Sequence, residues 1–203
     1  TALNATPVVK IRGAAIKDEY VQRLADARFS DELGASASAT LRFADPLFEL
    51  FSGNFAKIND SVEFSIADET GKKVQLFRGV IVGVAIDQGF SEGHQLVITA
   101  YDQSNKLSRL ESPKAHLNVS PAELIRKIAK RNGLTAKVSI PTVQLDYFME
   151  IDDDQTTLDF LAARLGFVWW VEDKKLVVQP PKLQSAIKLT WRESLTNFSA
   201  RYS

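Results

Sequence analysis

Apolar and polar residues alternate with a period of two through much of residues 7–103. In SVEFSIA (61–67), Val62, Phe64 and Ile66 fall on one face and Ser61, Glu63 and Ser65 on the other, which predicts a half-buried antiparallel strand. ATLRFAD (39–45) sets Leu41 and Phe43 against Thr40 and Arg42 in the same way. HQLVITAYD (94–102) is richer in apolar and β-branched residues, the composition of a strand central in its sheet. Polar clusters carrying glycine, DETGKK (68–73) and QGFSEGH (88–94), supply hairpin loops. Asp45 and Pro46 look like a cap and first position of a helical turn, PLFELF (46–51), that plugs one end of the sheet. Several strands at hairpin spacing with one plugging turn predict a small β-barrel or sandwich. FRGVIVGVAID (77–87) breaks the alternation, being apolar on both faces from Val80 to Ile86. Either it is a central strand covered on both sides, with Gly83 marking a bulge, or one face is buried against another subunit.

Past residue 110 the period changes from two to that of a helix. In SPAELIRKIAKRNG (120–133), Ser120 is a cap, Pro121 the first helical residue and Glu123 the return arm of a capping box. Leu124, Ile125, Ile128 and Ala129 form its buried stripe, and Gly133 ends it. The grammar repeats in TTLDFLAARLG (156–166): Thr156 and Asp159 read as the box, Leu158, Phe160, Leu161 and Leu165 as apolar surface, and Gly166 as the stop. FVWWVEDKKLVVQ (167–179) then reads as a hairpin turning at Asp173–Lys174. These elements make a small α+β domain over residues 110–183. The last segment, IKLTWRESLTNFSARYS (187–203), reads as a strand pair whose Leu189, Trp191, Leu195 and Phe198 need a partner surface, as though a further domain began there.

Composition narrows the function. Lys+Arg and Asp+Glu are both 25 in a chain of 203 residues, so the long-range positive field that drives nucleic-acid binding is missing. No cysteine occurs, which excludes disulfides and thiolate metal sites. His94 and His116 are the two histidines, too few for a multi-histidine metal site. No apolar run approaches the roughly 18 residues of a membrane span, and TALNATPVVKIRG lacks the pattern of a signal peptide.

Candidate chemistry is sparse. Asp152, Asp153 and Asp154 form the dense acidic cluster, but DDDQTTLDF lacks the alternating ligands and glycine of a calcium loop, so these acids read as sitting ahead of a helix N-terminus. His94 reads as a hairpin residue, and His116 lies in a polar connection without a nucleophile arranged beside it. Arg126, Lys127, Lys130 and Arg131 make a basic helix face without interleaved aromatics, which reads as solvated. Trp169 and Trp170 are neighbours on a strand and point to opposite faces. One is expected to pack on the helix; the other is a sugar-stacking platform or an inter-domain contact.

Three of these features, in order, resemble the hub proteins of contractile phage tails, the late control protein D family and VgrG spikes. A strand with Phe77, Gly79 and Val82 or Val84 leads to one ending in Tyr101 and Asp102, followed by Lys106, Leu107 and Arg109. The helix–hairpin supplies Asp154, Leu158, Phe160, Leu161, Gly166, Phe167, Val171, Leu176 and Pro180, and KLTWRESLTNFSARYS resembles the start of the family's second barrel. The resemblance covers nearly the whole chain, though no needle-like β-helix repeat follows. It implies an α+β, mainly β fold: an antiparallel tube-like β-barrel over residues 1–109, the small inserted α+β domain over 110–183 and an incomplete second barrel over 184–203. It further implies a baseplate hub, trimeric in the full-length protein, adapting a spike to a hexameric inner tube. The partners would be tube, spike or spike-tip and baseplate proteins, in a tail or injection particle assembled in the bacterial cytoplasm. No catalytic residue, metal or cofactor, no nucleic acid and no stable membrane insertion are expected. The alternative is a LysM-like peptidoglycan-binding module using the tryptophan pair; an unrecognised hydrolase has only scattered acids to support it.

Overall fold

The computed structural model describes residues 6–67, 72–89, 93–109, 113–182 and 190. The first half is built from β1 (Thr6–Ile11), β2 (Ala14–Ala15), α1 (Asp18–Val21), β3 (Leu24–Ser30), β4 (Ser38–Ala44), α2 (Glu49–Ser52), β5 (Ser61–Ala67), β6 (Lys73–Gly89) and β7 (Gly93–Tyr101). Its strands form one sheet in the order β2-β1-β5-β6-β7-β4-β3, antiparallel throughout. The alternating patterns fall as the sequence requires: Leu41 and Phe43 on β4, Val62 and Phe64 on β5, and Leu96, Ile98 and Ala100 on β7 are buried. Strand β7 is central, between β6 and β4. Residues 68–71 and 90–92 of the two expected hairpin loops lie outside the described residues, but the flanking pairs Ala67↔Lys73 and Gly89↔Gly93 place a hairpin at each.

The ladder does not close among the described residues, since β3 and β2 sit at opposite edges. Side chains instead reach from the β3 edge across to strands β5 and β6. The ring of Phe29 on β3 lies 4.8 Å from that of Phe64 and 6.2 Å from that of Phe77 on the far half of the sheet. The sheet therefore curls over one apolar core running from Val9 to Ala100.

Strand β6 is covered on one face only. Ile81 is buried and Val84 and Ile86 pack on the core, whereas Val82 is 38% exposed and Ala85 is exposed. The expectation of cover on both sides within the chain is thus not met. A bulge between Ile81 and Gly83 explains the broken alternation: Ile81 pairs with Ala100 and Gly83 with Thr99, leaving Val82 as the extra residue. Gly79 has a different role. A Cβ there would lie 2.3 Å from the carbonyl oxygen of Tyr101, a backbone atom that cannot step aside. Replacing Gly79 by alanine is expected to cost ~1–3 kcal/mol by overpacking, measured as a lower urea midpoint; native stability would show that β6 and β7 tolerate a wider approach.

The plugging turn differs in detail from its reading. Helix α2 starts at Glu49, preceded by Phe48 at φ 57, so Pro46 is not its first residue. The turn folds back through a hydrogen bond from Phe48 N to Asp45 O, and the buried Asp45 carboxylate accepts from the amides of Leu50 and Phe51, both at 3.0 Å. Asp45 caps the helix from farther away than the sequence suggests.

A 3-10 helix at Gln103–Ser108 leads to β8 (Ala115–Val119), α3 (Pro121–Arg131), β9 (Thr135–Val138), β10 (Leu145–Met149), α4 (Asp154–Leu165), β11 (Val168–Glu172) and β12 (Lys175–Gln179). Strands β8 and β10 pair antiparallel; β11, β12 and β9 form a second sheet in which β12 and β9 run parallel. The α3 capping box is present: Ser120 Oγ accepts from Glu123 N, and the Glu123 carboxylate accepts from Ser120 N at 3.1 Å. The Ser120 amide, and the Ser120 hydroxyl that also donates to this carboxylate, hold the Glu123 carboxyl below its usual range. Helix α4 corrects the second box. Its cap is Asp153, which accepts from Thr156 N at 2.7 Å, while Thr156 lies inside the helix and Asp159 turns to Trp169. The hairpin turns at Asp173 as read, with φ 55. A second apolar core joins Leu107 to Leu124, Ile125, Ile128, Leu158, Leu161, Trp169 and Leu176. The segment 187–203, where a second barrel is expected to start, lies outside the described residues except for Thr190.

Candidate functional site at the seam between the two cores

The two cores meet where the segment after β3, residues 31–37, reaches α4 and β11. Gly34 is the contact point. Its N–H donates to Trp169 O at 3.1 Å, and its carbonyl accepts from Gln155 Nε2 at 3.1 Å. With φ +76 it adopts a backbone that favours glycine, and a Cβ there would lie 3.2 Å from Asp159 Oδ1. Ser108 Oγ donates to Gln155 Oε1, so the 3-10 helix joins the same network.

Trp169 resolves the tryptophan question. It is 2% exposed, packs in the second core and donates its indole N–H to Asp159 Oδ1 at 2.8 Å. Partial burial pushes the Asp159 carboxyl up, against the indole N–H that lowers it. Trp170 points the other way and is half-buried, lining a cavity of about 370 Å³ with Asp31, Leu33, Asp102 and Glu172. A neighbouring cavity of about 330 Å³ extends this groove past Phe29, Leu76 and Arg78. Asp102 belongs to both. Its carboxylate caps the 3-10 helix by accepting from the Ser104 amide at 3.1 Å and from the Ser104 hydroxyl, its N–H donates to Ala37 O, and burial pushes the carboxyl up with Asp31 adding to the effect. Arg78 spans the seam, reaching Glu63 on its own sheet at 3.2 Å and Asp173 on the hairpin at 3.4 Å. The groove is negative, with Asp31, Glu32, Asp102, Glu172 and Asp173 against Arg78. Among the described residues that line it there is no histidine and no cysteine. Its arrangement suits contact, and it fixes how the two cores sit on each other.

The acidic triplet, the basic face and His116 divide in ways the sequence does not show. Asp152 is exposed and Asp153 caps α4, but Asp154 is 1% exposed and lies inside the domain. Arg126, Lys127 and Lys130 are exposed as read, whereas Arg131 turns inward. Its Nε donates to Asp154 Oδ2 at 2.8 Å, its Nη2 to the other Asp154 oxygen, and its Nη1 to both oxygens of Glu150 at 3.0 Å. Glu150 is 5% exposed and lies 2.9 Å from His116 Nε2. Asn132 Nδ2 donates to Asp154 at 2.6 Å. His94 is a hairpin residue, as read, with its ring 4.3 Å from that of Phe48. Glu150 carries no signal in the sequence. A hint for Arg131 exists: it stands three residues after Ile128, near the edge of the buried stripe. Among the described residues no group of three or more histidine, aspartate or glutamate side chains is placed to hold a metal, and no helix is long and apolar enough to cross a membrane.

A family model described as the Alg8 N-terminal domain matches residues 61–203. No curated protein sequence matches the chain. Among solved structures, the 43 kDa tail protein of prophage MuSo2 from Shewanella oneidensis aligns over 85% of this chain and 53% of its own, with a TM-score of 0.61 at 14% identity. A tail protein from Neisseria meningitidis MC58 aligns over 86% and 51%, with a TM-score of 0.60 at 16% identity. The E. coli c3393 protein, a component of the type VI secretion system with structural similarity to T4 bacteriophage tail proteins gp27 and gp5, aligns over 84% and 47%, with a TM-score of 0.54 at 14% identity. The fold is shared with these phage tail proteins and the type VI secretion component, mainly β with α+β character, and the chain spans about half the length of those it matches.

Proposed function

The chain belongs to the Alg8 N-terminal domain family, and from that premise we propose that it is the hub portion of a contractile tail or injection machine, a structural part without a catalytic role. The observation that carries this reading is the shared architecture: one order of strands, helices and hairpin overlays tail proteins across more than four-fifths of the chain. The open face of β6, with Val82 and Ala85 uncovered, supports it, because a strand apolar on its outer face suits burial against a neighbouring subunit. In this reading residues 1–109 form the first tube-like barrel, residues 110–183 the inserted domain and residues 184–203 the start of a second barrel. Three copies of the full-length protein then present six barrels to a hexameric inner tube, with a spike at the three-fold end and baseplate proteins around them. The particle is a phage tail, a secretion machine or a released injection particle.

A peptidoglycan-binding module is the weaker reading, because burial of Trp169 leaves Trp170 as the half-buried member of the pair. Native mass spectrometry of a longer chain that includes the second barrel tests the proposal. Trimers are expected, with six barrels visible in end-on electron micrographs. A strictly monomeric longer chain overturns the hub reading.

A further inference from the structure

We propose that the groove at the seam takes an extended, basic segment of a partner protein as an added strand, held by the open backbone edges of β6 and β11 and by the carboxylates that line the cavity. This site is separate from the exposed side of Val82 and Ala85 and does not depend on the hub reading. The first edge follows from the hydrogen-bond alternation of an antiparallel sheet. Arg12 N donates to Ser61 O, so Ser61 and Glu63 turn their backbone groups toward β1. Val62 and Phe64 then bond to β6, through Gly79 and Phe77. Arg78 lies between those two and points its N–H and C=O away from β5. Pairing with β7 stops at Val80↔Tyr101, and among the described residues no strand pairs with residues 73–79 on that side.

The second edge is that of β11. Lys174 O accepts from Thr135 N and Val178 O from Ser139 N, so Leu176 and Val178 of β12 turn their backbone groups toward β9. Opposite them stand Val171 and Trp169, whose backbone groups are therefore turned out from the sheet. The chain already uses this edge once, where Gly34 N donates to Trp169 O. Two residues on, Val171 has no backbone partner for its outward N–H and C=O among the described residues, and it lines both cavities of the groove. Arg78 lines the larger run of the same groove, so the two open edges border one space. An unpaired strand edge is a template for another extended chain.

Charge and apolar surface select the occupant. Arg78 is taken up by Glu63 and Asp173. Asp31, Glu32, Asp102 and Glu172 line the groove without an ion pair among the described residues. Burial pushes the Asp102 carboxyl up and the charge of Asp31 adds to the push, an effect that a cation in the groove relieves. Lys174 lies beyond Arg78, lining a further cavity of about 560 Å³. Leu33 and Leu76 are exposed beside the acids, and Trp170 is half-buried there. An extended segment points successive side chains to opposite sides. One that alternates basic with β-branched residues offers cations to the acids and methyl groups to the apolar side chains. A nucleic-acid backbone would bring phosphates against the same carboxylates.

Titrating the isotope-labelled chain with a blocked hexapeptide of alternating lysine and valine, at low salt and read by amide NMR, tests the site. Shifts are expected to gather at Val171 and Arg78, with slower exchange of the Val171 amide proton. The same peptide N-methylated at alternate amides keeps its charges but loses its pairing edge, and is expected to bind about tenfold more weakly. A glutamate–valine hexapeptide is expected not to bind. Asp31→Asn combined with Glu172→Gln is expected to weaken the lysine peptide several-fold and to flatten its salt dependence. Val171→Pro removes the outward N–H and spares the ladder to β12, because proline is tolerated where its nitrogen faces away from the sheet; it too is expected to weaken binding. Should that variant fail to fold, the N-methylated peptide makes the same deletion from the other side. No binding of the lysine peptide at roughly millimolar concentration, equal binding of its N-methylated form, shifts confined to other surfaces, or native binding by either folded variant overturns the site.

Discussion

Replacing Trp169 by alanine is expected to destabilise the chain by ~3–5 kcal/mol, the range for truncating a large buried aromatic. Three losses coincide there. The second core loses its largest fully buried side chain. Asp159, already pushed up by burial, loses the indole N–H that opposes that shift. Gly34 loses the neighbouring indole ring, so the 31–37 segment is expected to loosen from α4 and β11. The measurements are a urea midpoint and the rate of cleavage by a glutamate-specific protease at Glu32, which sits in that segment; both are expected to move. Trp169→Phe separates the terms. It keeps most of the packing and removes only the indole N–H from the solvent-exposed Asp159 carboxylate, at a cost of ~0.5–1.5 kcal/mol for one lost hydrogen bond. The pH dependence has a definite sign. A carboxyl raised above its unfolded value gives the native state the greater proton uptake, so the loss shrinks as the solution is acidified through that raised value. Native-like stability and native-like cleavage in Trp169→Ala would mean that the seam is held by Arg78 and Gln155 without the ring.

Much of this arrangement is written in periodicity and capping. The alternation in 39–45, 61–67 and 94–102 places β4, β5 and β7 and the side each buries, because a strand with one face on a core leaves a period of two in the chain. Ser120, Pro121, Glu123 and Gly133 bound α3 because capping is a local affair of three or four residues. Where the physics is not local, the reading slips. The parallel pairing of β12 with β9 joins residues about forty apart, and no short pattern encodes it. Asp45 caps α2 across a turn that folds back on itself, so the cap stands four residues before the helix instead of one. The bulge in β6 hides the outward side of Val82 behind an apolar run. At the seam, Gly34 looks like an ordinary loop glycine, and its meeting with Trp169 and Gln155 depends on two elements more than a hundred residues away. Arg131 misleads for the opposite reason. It stands among three basic neighbours that are solvated, and a charge that turns inward leaves the same letter in the sequence as one that does not.

That inward charge sets the second large effect. Arg131→Met is expected to cost ~3–5 kcal/mol, because it leaves Glu150 and Asp154 buried without their shared cation. The exposed neighbours Arg126 and Lys130, changed in the same way, are expected to stay within about 0.5 kcal/mol of the native chain. The contrast matters more than either number, since all three residues lie on one helix and carry one charge. Neutralising the carboxylates tests the cause. In Arg131→Met combined with Glu150→Gln and Asp154→Asn no buried charge is stranded, and much of the lost stability is expected to return. If the triple variant is as unstable as Arg131→Met, the guanidinium acts through its packing and its five donors, not through charge balance. If Arg131→Met is no worse than Arg126→Met, the cluster is solvated in solution and contributes little. Urea midpoints for the native chain and the four variants, read at one pH, separate these outcomes. The expected order places Arg131→Met lowest and the triple variant between it and the native chain.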